Sequence, residues 1–375
     1  MNGIDRVTFP ASLTAWLLVG GMLVGSGRPA AAANQHPEAV SKTILSRTYE
    51  IDRKYRSMMG PSSQEKLRLI EPAPGQAWDA QEVLWITGYK AVMVGQDGIS
   101  PKRQEFMCHS NLDIDPVAHR RGWRTTASFS SRLFTLSQGQ QTVAFPPGFG
   151  IPIHAAESLS LTTQVLNLNI EGEHFDVRHR VTIDFVRGRD LAAPLIPLFP
   201  TSAYGLELVT GKDGYFGLEQ ADPEKHGPGC LVGASASGNT YDDPQGRSFT
   251  GHWVVPPGRE VNHTLVTQLL RIPYDTTAHY IAVHLHPFAE SLTLRDLTSD
   301  HIVFTSQARN FPDRIGLAEV QSFASVEGIE MFASHEYELT SVYNNTTDDP
   351  QDSMAVMYIY LRDHELEAEF AASRQ

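Results

Sequence analysis

The sequence predicts an all-β protein made of two antiparallel β-sandwich domains of jelly-roll type. Three observations carry that expectation. Short runs rich in β-branched and aromatic residues recur along the chain, among them "EVLWITGYKAVMV", "RHRVTIDFV", "HYIAVHLH" and "MAVMYIYL". Many alternate apolar and polar residues, as strands do when one face meets a core and the other meets water. Turn formers punctuate the runs, with 29 Gly and 23 Pro in 375 residues, and helical periodicity is scarce.

Taken in order, residues 1–33 read as a secretory signal peptide. One early Arg precedes an apolar run from about Leu13 to Val24, and "PAAAANQ" then supplies a small-residue cleavage site near Ala33. The apolar run is too short to favour a membrane span, and no Cys sits at the cleavage site to carry a lipid. The mature chain is expected to be exported, periplasmic or extracellular, with no membrane insertion after cleavage.

"PEAVSKTILSRTYEI" reads as a short helix opening an N-terminal sandwich over residues 34–190. "RDLAAPLIPLFPTSAYG", residues 189–205, is rich in Pro and small residues between two strand-dense halves and reads as the domain boundary. A second sandwich follows over 200–363. In it "RSFTGHWVV" and "TLVTQLLRI" read as strands, and "VVPPGREVNHT" as a strand, a Pro-Gly turn and a strand. "YELTSVYNNTTDDPQDSMAVMYIYL" reads as a hairpin with a long polar loop, which puts Met354 where a loop meets a sheet. "HELEAEFAASRQ" reads as a C-terminal helix.

The net charge of −13, with no basic block, argues against nucleic acid and anionic membranes as partners. The two cysteines, Cys108 and Cys230, are compatible with one disulfide in an exported protein or with separate thiols.

"IAVHLHPFAE" carries the strongest chemical signal. Side chains alternate along a strand, so His284 and His286 point the same way. Two such imidazoles either share a metal ion or form a polar patch beside a proline turn. Joined by a thioether they would suit copper, since soft sulfur favours Cu(I) and imidazole tolerates both redox states. Other candidates rank lower. Asp113 and Asp115 in "NLDID" read as a solvated strand edge rather than a calcium site, and His174 and His179 as surface residues. "ASHEYELT" lacks a second His four residues after His335, and "GASASG" lacks the spacing of a nucleophile elbow. The sequons at Asn262, Asn344 and Asn345 matter only in a eukaryotic secretory pathway.

The order of a "VVPPGREVN" turn, a strand ending in His-x-His, the "LTLRD" strand and a later Asp-x-Met opening "MAVMYIYL" resembles the C-terminal domain of the copper type II, ascorbate-dependent monooxygenases. Peptidylglycine α-hydroxylating and dopamine β-monooxygenases are members of that family. The likeness covers roughly residues 245–363. It implies that His284, His286 and Met354 bind the copper at which dioxygen is activated. It also implies an external reductant such as ascorbate.

In the first half, "GWRTTASFSSRLFTLSQGQQTVAFPPGFGIPI" and "QEFMCHSNLDID" resemble the electron-transfer copper domain more weakly. The expected pair of histidines reads Cys108-His109, and Leu166 in "TTQVLNLN" takes the place of the third. The resemblance therefore implies either a decayed second site or one rebuilt from Cys108, His109 and His154, so that one copper is expected and two are conceivable. The substrate groups also depart from the pattern. The Arg that would precede the first His by two residues is Ala282, the Asn after the Met is Val356, and Tyr358 alone remains. Tyr358 is a candidate substrate contact or a packed aromatic. A glycine-extended peptide is thus not the expected substrate, and a small neutral or apolar one is.

Three readings of function follow. The first is an exported copper monooxygenase that hydroxylates a C–H bond with dioxygen. The second is a non-catalytic copper store, sensor or carrier with one site. The third is a plain β-sandwich adhesion or scaffold module, against which the three candidate ligands argue.

Overall fold

A computed structural model describes residues 39–54, 60–72, 75, 79, 82–123, 125–127, 129–208, 240–242 and 245–373. The signal peptide reading and Cys230 lie outside the described residues. Within them the fold is all-β.

Ten strands form the largest sheet. Its path runs Val40–Leu45, Phe175–Arg187, Val83–Val94, Phe149–His154, Ile196–Tyr204, Ala355–Arg362, Thr276–Leu285 and Phe323–Met331, with Tyr49–Ile51 and Thr142–Ala144 paired beside it. A four-stranded sheet (Ser62–Leu67, Leu159–Val165, Met107–Ile114, Arg132–Leu136) packs on its first half. There the ring of Tyr89 stacks on Phe134 with centroids 5.1 Å apart, and its hydroxyl shares a 2.7 Å hydrogen bond with Ser110. A five-stranded sheet (Gly258–Leu265, Tyr337–Asn345, Ala289–Asp296, His301–Asn310, Leu317–Val320) completes the second half. Its Leu292, Leu294, Leu339 and Tyr343 are buried in one apolar core with Val283 and Leu285. Burial of this apolar surface is the main stabilising term.

The expected boundary at 189–205 is instead largely strand. Ile196–Tyr204 pairs in parallel with Phe149–His154 and antiparallel with Ala355–Arg362, from Leu198↔Arg362 to Tyr204↔Val356. One sheet therefore runs through both halves, with this strand as the seam.

Local pattern fails in three more places. The expected N-terminal helix is the strands Val40–Leu45 and Tyr49–Ile51, both laid along Phe175–Arg187. β-Branched Val, Thr and Ile, stiff at χ1, favour that outcome once an open sheet edge is at hand. "TLVTQLLRI" ends its strand at Leu265 and turns through a short helix, Thr267–Leu270, closed by Arg271 at φ +46°. "RSFTGHWVV" breaks at Gly251-His252 into Ser248–Thr250 and Trp253–Val255. The C-terminal helix forms as expected, His364–Ala372, capped by Asp363 accepting from the Leu366 N–H at 2.9 Å.

Candidate metal centre

The strand carrying His284 sits inside the large sheet between Ala355–Arg362 and Phe323–Met331, so its side chains leave water. Its register sets His284 against Val356 and Leu285 against Ala355. Strand alternation puts His284 and His286 on one side, and the ladder ends one residue short of Met354. Tyr343 ties the two strand ends together: its hydroxyl donates to the Met354 carbonyl at 2.6 Å and accepts from the His286 N–H at 3.3 Å. The Met354 side chain is half-buried against the apolar core.

Two residues that sequence reasoning did not select complete the cluster. Asp352 lies on Gln351–Ser353, which pairs with Trp253–Val255 as a two-stranded ribbon, Val254 opposite Asp352. The break at Gly251-His252 leaves His252 at the start of that ribbon. Asp352 Oδ2 stands 2.9 Å from His286 Nδ1, and Asp352 Oδ1 is in close contact with His252 Nε2. One ligand atom from each of His252, His286 and Asp352 lies within 4.8 Å of the others, and all three residues are buried. The His284 and His286 rings meet edge-on with centroids 5.2 Å apart.

Asp352 is thus paired with an imidazole through each of its oxygens. On the far side of this pair of contacts, Nδ1 of His252 has no hydrogen-bond partner, and neither has Nδ1 of His284. Each such buried orphan costs about 1–3 kcal/mol.

The electrostatics agree. Burial pushes the Asp352 carboxyl up, but His252 and His286 together outweigh it and hold the group well below its ordinary range, hence ionised. Burial pushes the His284 imidazole well down, and His286, His109, Arg132 and His252 press the same way. A neutral imidazole keeps a lone pair available for a metal. Imidazoles and one carboxylate suit a divalent transition metal, copper included, and the neighbouring thioether adds a soft donor.

The second expected set lies beside the first. The ladder between Met107–Ile114 and Leu159–Val165 slips from Met107↔Val165 to His109↔Gln164, which leaves Cys108 as the extra residue of a bulge. Cys108 and His109 are buried. Burial lowers the His109 pKa to about 3, with Arg132, His179 and His286 adding in the same direction. Leu166 and Cys108 line one cavity with His286 and Asp352.

His154 does not join this group. It ends its strand stacked on Trp123, ring centroids 4.2 Å apart, with Nε2 3.5 Å from the Gly122 carbonyl. The imidazoles that act on His109 are His286 and His179, the latter expected on the surface but fully buried because it falls on an inward position of Phe175–Arg187. His174 is exposed. Tyr358 is buried opposite Ala282 and Ser202; burial raises its hydroxyl above the usual range, with Tyr204 adding to the rise and Arg132 opposing it. Asp113 is paired with Arg132, and Asp115 caps the helix Pro116–Arg121. Asn262 is buried with its amide bonded to Leu206 and Glu207.

A sequence signal for Asp352 existed: Asp-x-Met on an extended segment puts carboxylate and thioether on one face. His252 had a weaker one, the Gly before it that interrupts a strand-like run.

No family model matches the chain, and no curated protein matches it. Among solved structures it is similar to a peptide-N(4)-(N-acetyl-β-D-glucosaminyl) asparagine amidase, at TM-score 0.35 and 9% identity, covering 87% of this chain and 98% of that one. It is also similar to PNGase F, a glycosylasparaginase from Flavobacterium meningosepticum, at TM-score 0.32 and 9% identity, covering 86% and 96%. Likeness this distant carries no argument about what the chain does.

Proposed function

We propose that the chain is an exported copper protein of monooxygenase type, hydroxylating a C–H bond of a small neutral substrate with dioxygen and an external reductant such as ascorbate. The metal is held by His286, Asp352 and His252, with His284 beside His286 on the same strand. The observation that supports this reading best is the convergence of His252, His286 and Asp352, all buried, with one ligand atom of each within 4.8 Å of the others. Bound copper would supply one-electron chemistry between Cu(I) and Cu(II).

The chain's own residues set the conditions. Asp352 contributes the negative charge that offsets a cation in a site with little water. Burial of His252, His284 and His286 excludes solvent from the reacting region. Tyr343 fixes the spacing of the strand ends that carry His286 and Met354. Hydroxylation consumes two electrons and two protons with each dioxygen, giving the alcohol and water. With Leu166 where a third imidazole would complete a second copper set, both electrons come from the external reductant.

A non-catalytic copper store, sensor or carrier is the second reading, favoured by that same Leu166. Metal analysis of the purified chain together with oxygen uptake separates the two. One copper per chain with ascorbate-dependent oxygen uptake supports the enzyme. One copper without uptake supports the binder, and absence of copper after reloading sinks both.

A further inference from the structure

We propose that the cavity beside His286 and Asp352 is a binding chamber for a small uncharged molecule with an apolar body. It encloses about 90 Å³. Its lining mixes apolar Leu166, Leu168, Leu285 and Phe288 with polar residues, His286 and Asp352 among them. The proposal rests on the metal reading only for what the molecule meets at His286 and Asp352.

Three features point to an occupant. Leu166 stands, almost fully buried, where the resemblance calls for a metal-binding imidazole. A leucine has no lone pair to give, but its methyl groups can pack against methylenes, so the position suits an apolar guest.

Phe288 adopts φ +73°, a left-handed conformation that an L side chain avoids. It is held there by two bonds: its N–H donates to Asn310 Oδ1 at 2.7 Å, and its carbonyl accepts from the Asn344 N–H at 2.8 Å. Strain so firmly fixed, on a residue whose ring walls a cavity, is a recurrent mark of ligand sites.

The lining also holds the buried carboxylate of Asp352, with the exposed Asp349 nearby, and no Lys or Arg among the described residues. An anion entering it meets like charge in a partly dry space. The volume bounds the guest. A dry cavity of about 150 Å³ takes benzene, so this one takes on the order of four to six non-hydrogen atoms, with any remainder in the mouth. A peptide chain does not fit.

The test titrates butyramide and its anionic isostere butyrate into the full chain, metal-free and copper-loaded, and follows the melting temperature. Butyramide is expected to stabilise both forms with half-saturation on the order of millimolar, and butyrate to bind the metal-free form at least tenfold more weakly. Leu166→Trp fills the chamber and should abolish the shift. Leu168→Trp, at a half-buried wall position, does the same with less risk to folding. In the copper-loaded form, butyramide should also perturb the Cu(II) spectrum. Butyramide binding that persists in both tryptophan variants, or equal binding of butyrate to the metal-free form, overturns the chamber. If the chain holds no copper yet butyramide binding is lost in the variants, the chamber stands and the metal reading falls.

Discussion

Nδ1 of His286 stands 2.9 Å from Oδ2 of Asp352, and the other oxygen of the same carboxylate is in close contact with Nε2 of His252. One buried carboxylate therefore draws two imidazoles to a common point. A cation bound there would take one ligand atom from each of the three residues.

Removal of the carboxylate should therefore weaken both fold and metal binding. Asp352→Ala takes away the hydrogen-bonding partner that His252 and His286 share and is expected to cost about 1–3 kcal/mol in urea unfolding of the metal-free chain. Asp352→Asn keeps the shape and removes the charge. Its copper affinity, measured by competition with a chelator, should fall by more than the roughly 10- to 100-fold seen when only a partner of a metal ligand is lost, because here a ligand itself loses its charge. Unchanged affinity in Asp352→Asn would place the metal elsewhere.

Single histidine variants map the centre. His286→Ala should lose the copper, and His252→Ala should lose most of it. His154→Ala should lose none, because His154 is stacked on Trp123. His109→Ala should keep one equivalent. Were His109→Ala and His286→Ala each to lose one of two equivalents by elemental analysis, a two-copper centre would have to be restored.

Tyr343 offers a subtler probe. Tyr343→Phe deletes one hydroxyl that bridges the His286 N–H and the Met354 carbonyl. The expected loss is about 1–2 kcal/mol of stability, with copper affinity reduced and copper count unchanged. Wild-type affinity in this variant would show that the spacing of those strand ends does not matter to the metal.

Much of this was legible in the chain and some was not. Period-2 alternation made the strands plain wherever one face is buried, and His-x-His announced its own geometry because strand alternation is purely local. The seam strand was hidden, since "PLIPLFPTSAY" has the composition of a linker and becomes a strand only through partners at Phe149 and Arg362, far away in sequence. His252 and Asp352 were hidden for a related reason. His252 is a single imidazole in a strand-like run and Asp352 one of three aspartates in a polar loop, and the ribbon that brings them to His286 exists only in three dimensions. His179 misled because its strand, Phe175–Arg187, looks amphipathic, yet the face that carries it is the inner one.

The last prediction concerns acid stability and a group remote from the metal cluster. His279 is buried, its ring stacked on Phe149 with centroids 4.1 Å apart. Its partners define the neutral form: Nδ1–H donates to the Ser325 carbonyl at 3.1 Å, and Nε2 accepts from the Thr277 hydroxyl at 2.7 Å. Burial lowers its pKa below 6.5; the Ser325 carbonyl opposes the shift, and Arg362 and His364 press in the same direction as burial. In the unfolded chain the ring takes up its proton at an ordinary pH of about 6.5. Its contribution to stability is therefore complete above that pH and is lost as the pH falls through it toward the lower folded value. Other buried histidines add acid sensitivity of their own, so the informative quantity is a difference. Urea unfolding of the wild type and of His279→Gln, compared from about pH 7 to about pH 5, should show the wild type losing stability more steeply. Parallel curves for the two proteins would mean that His279 is protonated as easily folded as unfolded, and that its neutral hydrogen-bonding pattern does not hold in solution.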